Sequence, residues 1–201
     1  MRERARFAPS PTGPLHIGGV RTALFNYLIA KKNGGDFILR IEDTDSKRTV
    51  VGAEEHIKDS LRWLGLKYDK EPIKQSERKS LYKKRVDELI EKGLAYYAFD
   101  SSAELDKARA DSNGEFKYNY ETRKRMVNSF TVPVEEVKIR VDRGGYVVRM
   151  IIPEETTIKV NDEIRGSLSF KSNELEDKII MKSDGMPTYH FANVVDCLLY
   201  T

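Results

Sequence analysis

A chain of 201 residues with 39% apolar and 33% charged side chains can build a core for one domain or one and a half, which excludes a disordered or low-complexity polymer. The formal net charge of +3 is too small to argue for nucleic-acid binding by itself. The clusters Lys31-Lys32, Lys83-Lys84-Arg85 and Arg123-Lys124-Arg125 read as solvated helix faces on charge pattern alone. A single cysteine, Cys197, excludes an internal disulfide framework and a cysteine-rich zinc site. No apolar signal region precedes the first strand and no run of ~18 apolar residues occurs, so the expected compartment is the reducing cytoplasm.

In chain order, residues 4–8 predict a strand and residues 18–32 a helix. Val20, Leu24, Tyr27 and Leu28 recur there at helical spacing, and Asn33-Gly34-Gly35 supplies the stop. Residues 36–42, D-F-I-L-R-I-E, predict a second strand, which completes a βαβ unit. Residues 52–64 follow as a helix with Ile57, Leu61 and Leu64 on one face. Together these elements are half of a nucleotide-binding α/β fold. The character then changes. Residues 76–92 predict a long helix striped by Tyr82, Val86, Leu89 and Ile90, capped by Gly93 and followed by a strand at A-Y-Y-A-F. Residues 102–128 are polar and read as two helical pieces around Asn113-Gly114. From 137 to 182 short β-runs alternate with turns: V-K-I-R-V, Gly144-Gly145, Y-V-V-R-M-I-I, T-T-I-K-V, Asn161-Asp162 and the run from Arg165 to Phe170, before a turn at Asp184-Gly185.

The stretch from Arg6 to Gly19, R-F-A-P-S-P-T-G-P-L-H-I-G-G, carries the most chemistry. A strand enters a Pro/Gly-rich turn, the turn ends on His-x-Gly-Gly, and a helix starts at once. Helix amides and the positive dipole end make an anion site, and Gly18 and Gly19 have no Cβ to hold a phosphate away. Neither the Walker loop nor G-x-G-x-x-G is present. Glu42 ends the second strand beside the first, and ligands of such sheets bind at strand C-termini. A carboxylate there suits an ammonium, and Arg6, with its forked guanidinium, suits a carboxylate. Glu42-Asp43-Thr44-Asp45 reads equally as an acidic helix-capping loop, and Ser10 as a turn serine. Tyr189 and Asn193, four apart, share one helical face that also suits packed core.

P-S-P-T-G-P-L-H-I-G-G resembles the HIGH motif of class I aminoacyl-tRNA synthetases. The stretch through I-E-D-T-D, residues 41–45, resembles the glutamyl-tRNA synthetases in particular, and the resemblance continues through 61–99 and 184–196. It implies an α/β fold: the first half of a Rossmann-type catalytic domain at 1–75, an inserted α+β connective-peptide subdomain at 76–185 that contacts the tRNA acceptor end, and a return to the catalytic domain at 186–201. It implies ATP-dependent attachment of L-glutamate to tRNA(Glu) through a glutamyl-adenylate. His16 would be catalytic, and Pro9, Thr12, Gly13, His16, Gly18 and Gly19 would bind ATP. Arg6, Ser10, Glu42, Tyr189 and Asn193 would bind glutamate. Mg²⁺ is expected with the ATP, held mostly by phosphates and water. Some relatives carry a Cys/Tyr zinc site where this chain reads A-Y-Y-A-F-D-S-S, without cysteine, so neither zinc nor a protein-held metal is expected. The expected state is a monomer.

The sequence also departs from that family. A whole glutamyl-tRNA synthetase is more than twice as long, and no K-x-S-K loop, the second ATP motif, occurs here. After Asn193-Val194-Val195-Asp196 the family pattern continues with an acidic residue, a His and an Arg-bearing strand, whereas this chain reads Cys197-Leu198-Leu199-Tyr200-Thr201. An N-terminal portion is therefore expected, with its activity alone in doubt. Two alternatives stay open: a non-catalytic nucleotide- or tRNA-binding module, and a glutaminyl or tRNA-modifying relative.

Overall fold

Six consecutive buried residues, Asp36–Ile41, form β2, the strand that organises the first of two compact units. A strand buried on both faces belongs in the middle of a parallel sheet. Accordingly β2 pairs in parallel with β1 (Arg4–Phe7) on one side and with β3 (Ile73–Lys74) on the other. The computed structural model describes residues 3–112 and 116–197, and the first unit comprises the chain to Lys79 together with the segment that begins at Ala192.

Helix α1 (Ile17–Lys32) crosses from β1 to β2, and α2 (Ala53–Trp63) follows. The core gathers Phe7, Phe37, Leu39, Ile41, Ile57, Leu61 and Leu66 with Ala23 and Ala30; each large side chain so buried contributes about 1.5–3 kcal/mol. Helix α1 meets this core through a different stripe from the predicted one. Ala23 and Ala30 are fully buried and Val20 and Tyr27 half-buried, while Leu24 and Leu28 are 41% and 52% exposed. Two alanines let the helix backbone close on the sheet, and Tyr27 sets its ring edge-on to Phe37, centroids 5.5 Å apart. At the end of α1 the chain passes tightly under β1: a Cβ on Gly35 would sit 2.1 Å from the Glu3 carbonyl oxygen.

The second unit, Ser80–Phe191, holds an antiparallel sheet in the order β4 (Ala95–Ala98), β5 (Val147–Met150), β8 (Ile179–Met181), and a hairpin of β6 (Thr157–Asp162) and β7 (Gly166–Lys171). A 3-10 turn at Gln75–Arg78 precedes α3 (Lys79–Glu91), so the long helix predicted from residue 76 starts three residues later. Helices α4 (Ser102–Asp111) and α5 (Tyr120–Arg123) occupy the polar stretch; the predicted break at Asn113-Gly114 lies outside the described residues. Residues 137–141, predicted as a strand, belong instead to α6 (Val134–Arg143). Pro133 starts this helix, Glu135 and Glu136 lie in its first turn, Arg140 and Arg143 in its last, and Gly144 ends it at φ +79°. Those end charges favour a helix dipole, and Glu136 pairs with Arg140 one turn on. Val137, Arg140 and Val141 form the half-buried face while Ile139 is exposed. The V-x-I-x-V alternation is thus read through by a 3.6-residue period.

Buried polar groups hold the second unit together. Tyr96 donates to Asp177 (2.9 Å), Asp177 accepts the Ile152 amide (2.9 Å), and Arg149 lies over the Tyr118 ring at 3.6 Å. Arg123, read from the sequence as part of a solvated cluster, is buried instead, 3.3 Å from Asp177.

Candidate active site

The loop after β1 is held at four points. Pro9 accepts the Glu42 amide (3.0 Å), Pro11 accepts the Val50 amide (2.9 Å), and Ser10 accepts the Thr12 amide (2.9 Å). The Leu15 amide donates to His56 Nδ1 on α2 (3.3 Å). The loop delivers His16 to the N-cap of α1, where its Nδ1 accepts the Gly18 amide at 3.1 Å. With Nδ1 acting as acceptor, the proton of the neutral ring belongs on Nε2. The first helical bond runs from Val20 back to His16 (3.1 Å), which leaves the Ile17 and Gly19 amides ahead of the helical ladder.

Around this turn lies a cleft of about 520 Å³ lined by Phe7, Pro9, Ser10, Thr12, Gly13, His16 and Gly19, with Ile57 behind. Five of the six expected ATP residues therefore share one cavity wall. Gly18 is the exception. Its amide is not bare, as the sequence pattern predicts, but spent on His16. A Cβ there would lie 2.9 Å from the His16 ring, so Gly18 serves the imidazole's position. Ser10, expected on the amino-acid side, lines the same cleft.

The strand ends carry a second cluster. Arg6 Nη1 lies 3.4 Å from Glu42 Oε1. The same oxygen takes a 2.5 Å hydrogen bond from Arg40 Nη2, which also donates to Asn193 Oδ1 at 2.7 Å. Arg40 is fully buried, and its Nη1 lies 3.7 Å from Asp196 Oδ2. Asp196, also fully buried, accepts from Gln75 Nε2 (2.8 Å) and Arg78 Nε (3.0 Å). Next to Glu42, Asp43 accepts the Ser76 amide (2.8 Å) and hydroxyl (2.5 Å). Asp45 takes the Lys47 amide (3.2 Å), and α2 starts from Gly52 with no side-chain cap; the acidic run closes turns instead of capping a helix.

Of the five expected glutamate-binding residues, Arg6, Glu42 and Asn193 come together. Tyr189, half-exposed at the start of α7 (Tyr189–Cys197), belongs to the second unit, where its ring meets that of His190 edge-on. Sequence reasoning missed Arg40, Gln75, Asp196 and His56. A charged residue inside a strand pattern gives no sign of burial, and Arg40 meets Asn193 across 153 positions. Among the described residues no three or more His, Cys, Asp or Glu side chains are placed to hold a metal ion, and no helix is long and apolar enough to cross a membrane.

The family described as "tRNA synthetases class I (E and Q), catalytic domain" matches residues 3–200. The chain belongs to it. This synthetase domain is 56% identical over 198 residues to the glutamate–tRNA ligase of Azobacteroides pseudotrichonymphae and 52% identical over 205 to that of Christiangramia forsetii. The matches cover 98% and 96% of the chain but 40% and 41% of those proteins, so the domain spans about two fifths of the length of the curated relatives it matches. In structure it is similar to a glutamate tRNA ligase from Elizabethkingia meningosepticum crystallised in complex with its amino acid. The TM-score is 0.87 at 50% identity, covering 98% of this chain and 41% of that one. The enzyme from Elizabethkingia anophelis gives 0.86, also at 50% identity.

Proposed function

We infer that this synthetase domain supplies the ATP cleft and the amino-acid anchors of a glutamate–tRNA ligase. The observation that carries this is the junction of a His-capped helix start with an Arg6–Glu42 pair at adjacent strand ends, to which Arg40 joins Asn193 of α7. In the reaction, the glutamate α-carboxylate attacks the α-phosphorus of ATP. The bond to the bridging oxygen breaks, pyrophosphate leaves, and the glutamyl-adenylate then esterifies the terminal ribose of tRNA(Glu).

The chain's own residues bind and neutralise. The triphosphate lies in the cleft against Pro9, Thr12, Gly13 and Gly19, and the positive end of α1 faces it. His16 donates from Nε2 to a phosphate oxygen as charge builds there, with its ring fixed by Gly18; a donor placed in this way is worth about 10²–10³ in rate. Glu42 receives the glutamate ammonium. The Arg6 contact, at 3.4 Å the longer of the two on Glu42, is the one an incoming ligand takes over, which frees the guanidinium for the side-chain carboxylate. Glutamine, neutral at that end, offers Arg6 no counter-ion, and this disfavours the glutaminyl alternative. Asn193 completes this set within the first unit, and Ser10 and Tyr189 are assigned to glutamate on the family resemblance alone.

The remaining assignments follow from the same family. Mg²⁺ is assigned to the triphosphate, whose oxygens and water would hold it. No zinc is proposed in the second unit, where Tyr96 and Asp100 are engaged in internal hydrogen bonds with Asp177 and Tyr118. The chain leaves the first unit after Lys79 and rejoins it at Ala192, which supports an inserted unit for the tRNA acceptor end between the catalytic segments. We assign the protein to the cytoplasm, as a monomer. The second reading is a module that binds nucleotide without catalysis, since the His16 cleft alone suits a phosphate. Pyrophosphate exchange with ATP, glutamate and tRNA(Glu) separates the two. Robust exchange by the 201-residue chain eliminates the module, binding of ATP and glutamate without exchange favours it, and failure to bind either ligand refutes both. Where exchange occurs, His16→Ala lowers its rate far more than it lowers glutamate affinity.

A further inference from the structure

On the reading of Glu42 and Asn193 as amino-acid-binding groups, the geometry points to Arg40 as the positioning residue of that pocket: one guanidinium nitrogen fixes both the Glu42 carboxylate and the Asn193 amide, and so turns the Asn193 Nδ2 donors toward the ligand.

Arg40 has no exposed surface, and a cation taken out of water costs several kcal/mol unless partners surround it. Asp196 alone would serve as counter-ion for a residue with a purely structural role. Arg40 instead directs Nη2, its best-engaged nitrogen, at Glu42 Oε1 (2.5 Å) and Asn193 Oδ1 (2.7 Å), while Nη1 stays 3.7 Å from Asp196 and neither Nη1 nor Nε makes a hydrogen bond. The stronger contacts face the two ligand-binding side chains.

A guanidinium has donors and no acceptor, so it accepts only one orientation of the neighbouring amide. Oδ1 of Asn193 must face Arg40, and Nδ2 must face away. Among the described residues both contacts of the Asn193 amide fall on Oδ1, so its Nδ2 donors are turned toward an acceptor such as the glutamate carboxylate. Glu42 is treated alike. Arg40 engages Oε1 at the nitrogen it shares with Asn193, and Oε2 is left for an ammonium. A lysine could supply the charge at this position but not the fixed plane in which Nη2 directs its two N–H bonds, one at each partner.

The test uses the ¹⁵N-labelled chain, with glutamate and ATP affinities by calorimetry and the Asn193 side-chain NH₂ signals by NMR. For Arg40→Lys the expected result is altered, faster-exchanging Asn193 NH₂ signals and a glutamate Kd raised at least tenfold, with ATP affinity unchanged. Signals and glutamate Kd both within twofold of wild type overturn the proposal, as does a lowered Tm with unchanged glutamate affinity. If Arg40→Lys does not fold, Asn193→Asp decides. A carboxylate there still accepts from Arg40 but has no donors, so a raised Tm with glutamate binding lost supports the proposal, and retained glutamate affinity overturns it. Should wild type bind no glutamate, the amino-acid-pocket reading fails, while the Asn193 signals of Arg40→Lys still decide whether Arg40 sets the amide.

Discussion

Gly18→Ala separates the two tasks of the α1 start, because its effects on stability and on ATP binding differ in size. The new Cβ would stand 2.9 Å from His16 Cε1 and 3.1 Å from its Nδ1, so the imidazole must rotate and the 3.1 Å cap bond breaks. Loss of an N-cap costs roughly 0.5–2 kcal/mol. Alanine in place of glycine in the first turn returns up to about 1 kcal/mol of helix propensity. The net change is therefore within about 1 kcal/mol, a Tm shift of a few degrees for a chain of this size. The nucleotide site loses a fixed Nε2 donor and gains a methyl near its wall, and ATP affinity is expected to fall about tenfold, or ~1.4 kcal/mol. Three readings on one sample check this: a thermal melt, an ATP titration, and the ¹⁵N shifts of the His16 ring, which report the tautomer. Wild type should show the neutral ring protonated at Nε2, and the variant a mixture. Wild-type ATP affinity and an unchanged tautomer in the Gly18→Ala variant would refute the link between the cap and the phosphate site.

Gly35→Ala should act on stability alone: its Cβ would meet the Glu3 carbonyl oxygen at 2.1 Å, backbone that cannot swing aside, and a loss of roughly 1–3 kcal/mol should appear as a lower urea midpoint at unchanged slope. Glu42→Gln keeps shape and removes charge, and glutamate affinity should drop at least tenfold with ATP affinity intact; no change would make this carboxylate only a counter-ion for Arg40 and Arg6. Burial, and then the charge of Asp177, raises the Tyr96 hydroxyl above the ordinary phenol range, and burial followed by the hydrogen bond to Asp100 raises Tyr118. Folded-state values above the unfolded one of about 10 mean that this stability is intact below pH ~10 and is lost as pH rises beyond it. Absorbance at 295 nm should show these two phenols ionising together with loss of near-ultraviolet circular dichroism, and ionisation of all 10 tyrosines with the fold intact would contradict the assignment.

Local patterns in the sequence are enough for the βαβ start, for Ile57 and Leu61 on α2 and for the His16 turn, since each rests on neighbours within a few residues; Leu64, predicted on the same face, is instead the exposed C-cap of α2, and Leu66 enters the core in its place. The α1 stripe is misread because hydrophobicity ranks leucine above alanine, whereas close approach to a sheet selects the smaller side chain: Ala23 and Ala30 are buried, Leu24 and Leu28 exposed. Helix α6 is mistaken for a strand because Val137, Ile139 and Val141 satisfy a period of two; the deciding signals are the charges at its two ends and Gly144. Arg6 and Glu42 are legible as strand-end charges. Arg40 is not, because its burial depends on Asp196 and Asn193, whose arrival no local window contains.

That distance has a consequence for synthesis on the ribosome. Arg40 leaves the exit tunnel with Glu42 close behind, but Asn193 and Asp196 emerge some 150 residues later, after the whole intervening unit. At translation speeds of ~5–20 residues per second the nascent strand carries its arginine for many seconds without those partners, and water must solvate it meanwhile. Closure of β2 over that cation is thus coupled to α7, made some 150 residues later, and a ribosome stalled before residue 193 would present Arg40 still hydrated and without those two partners.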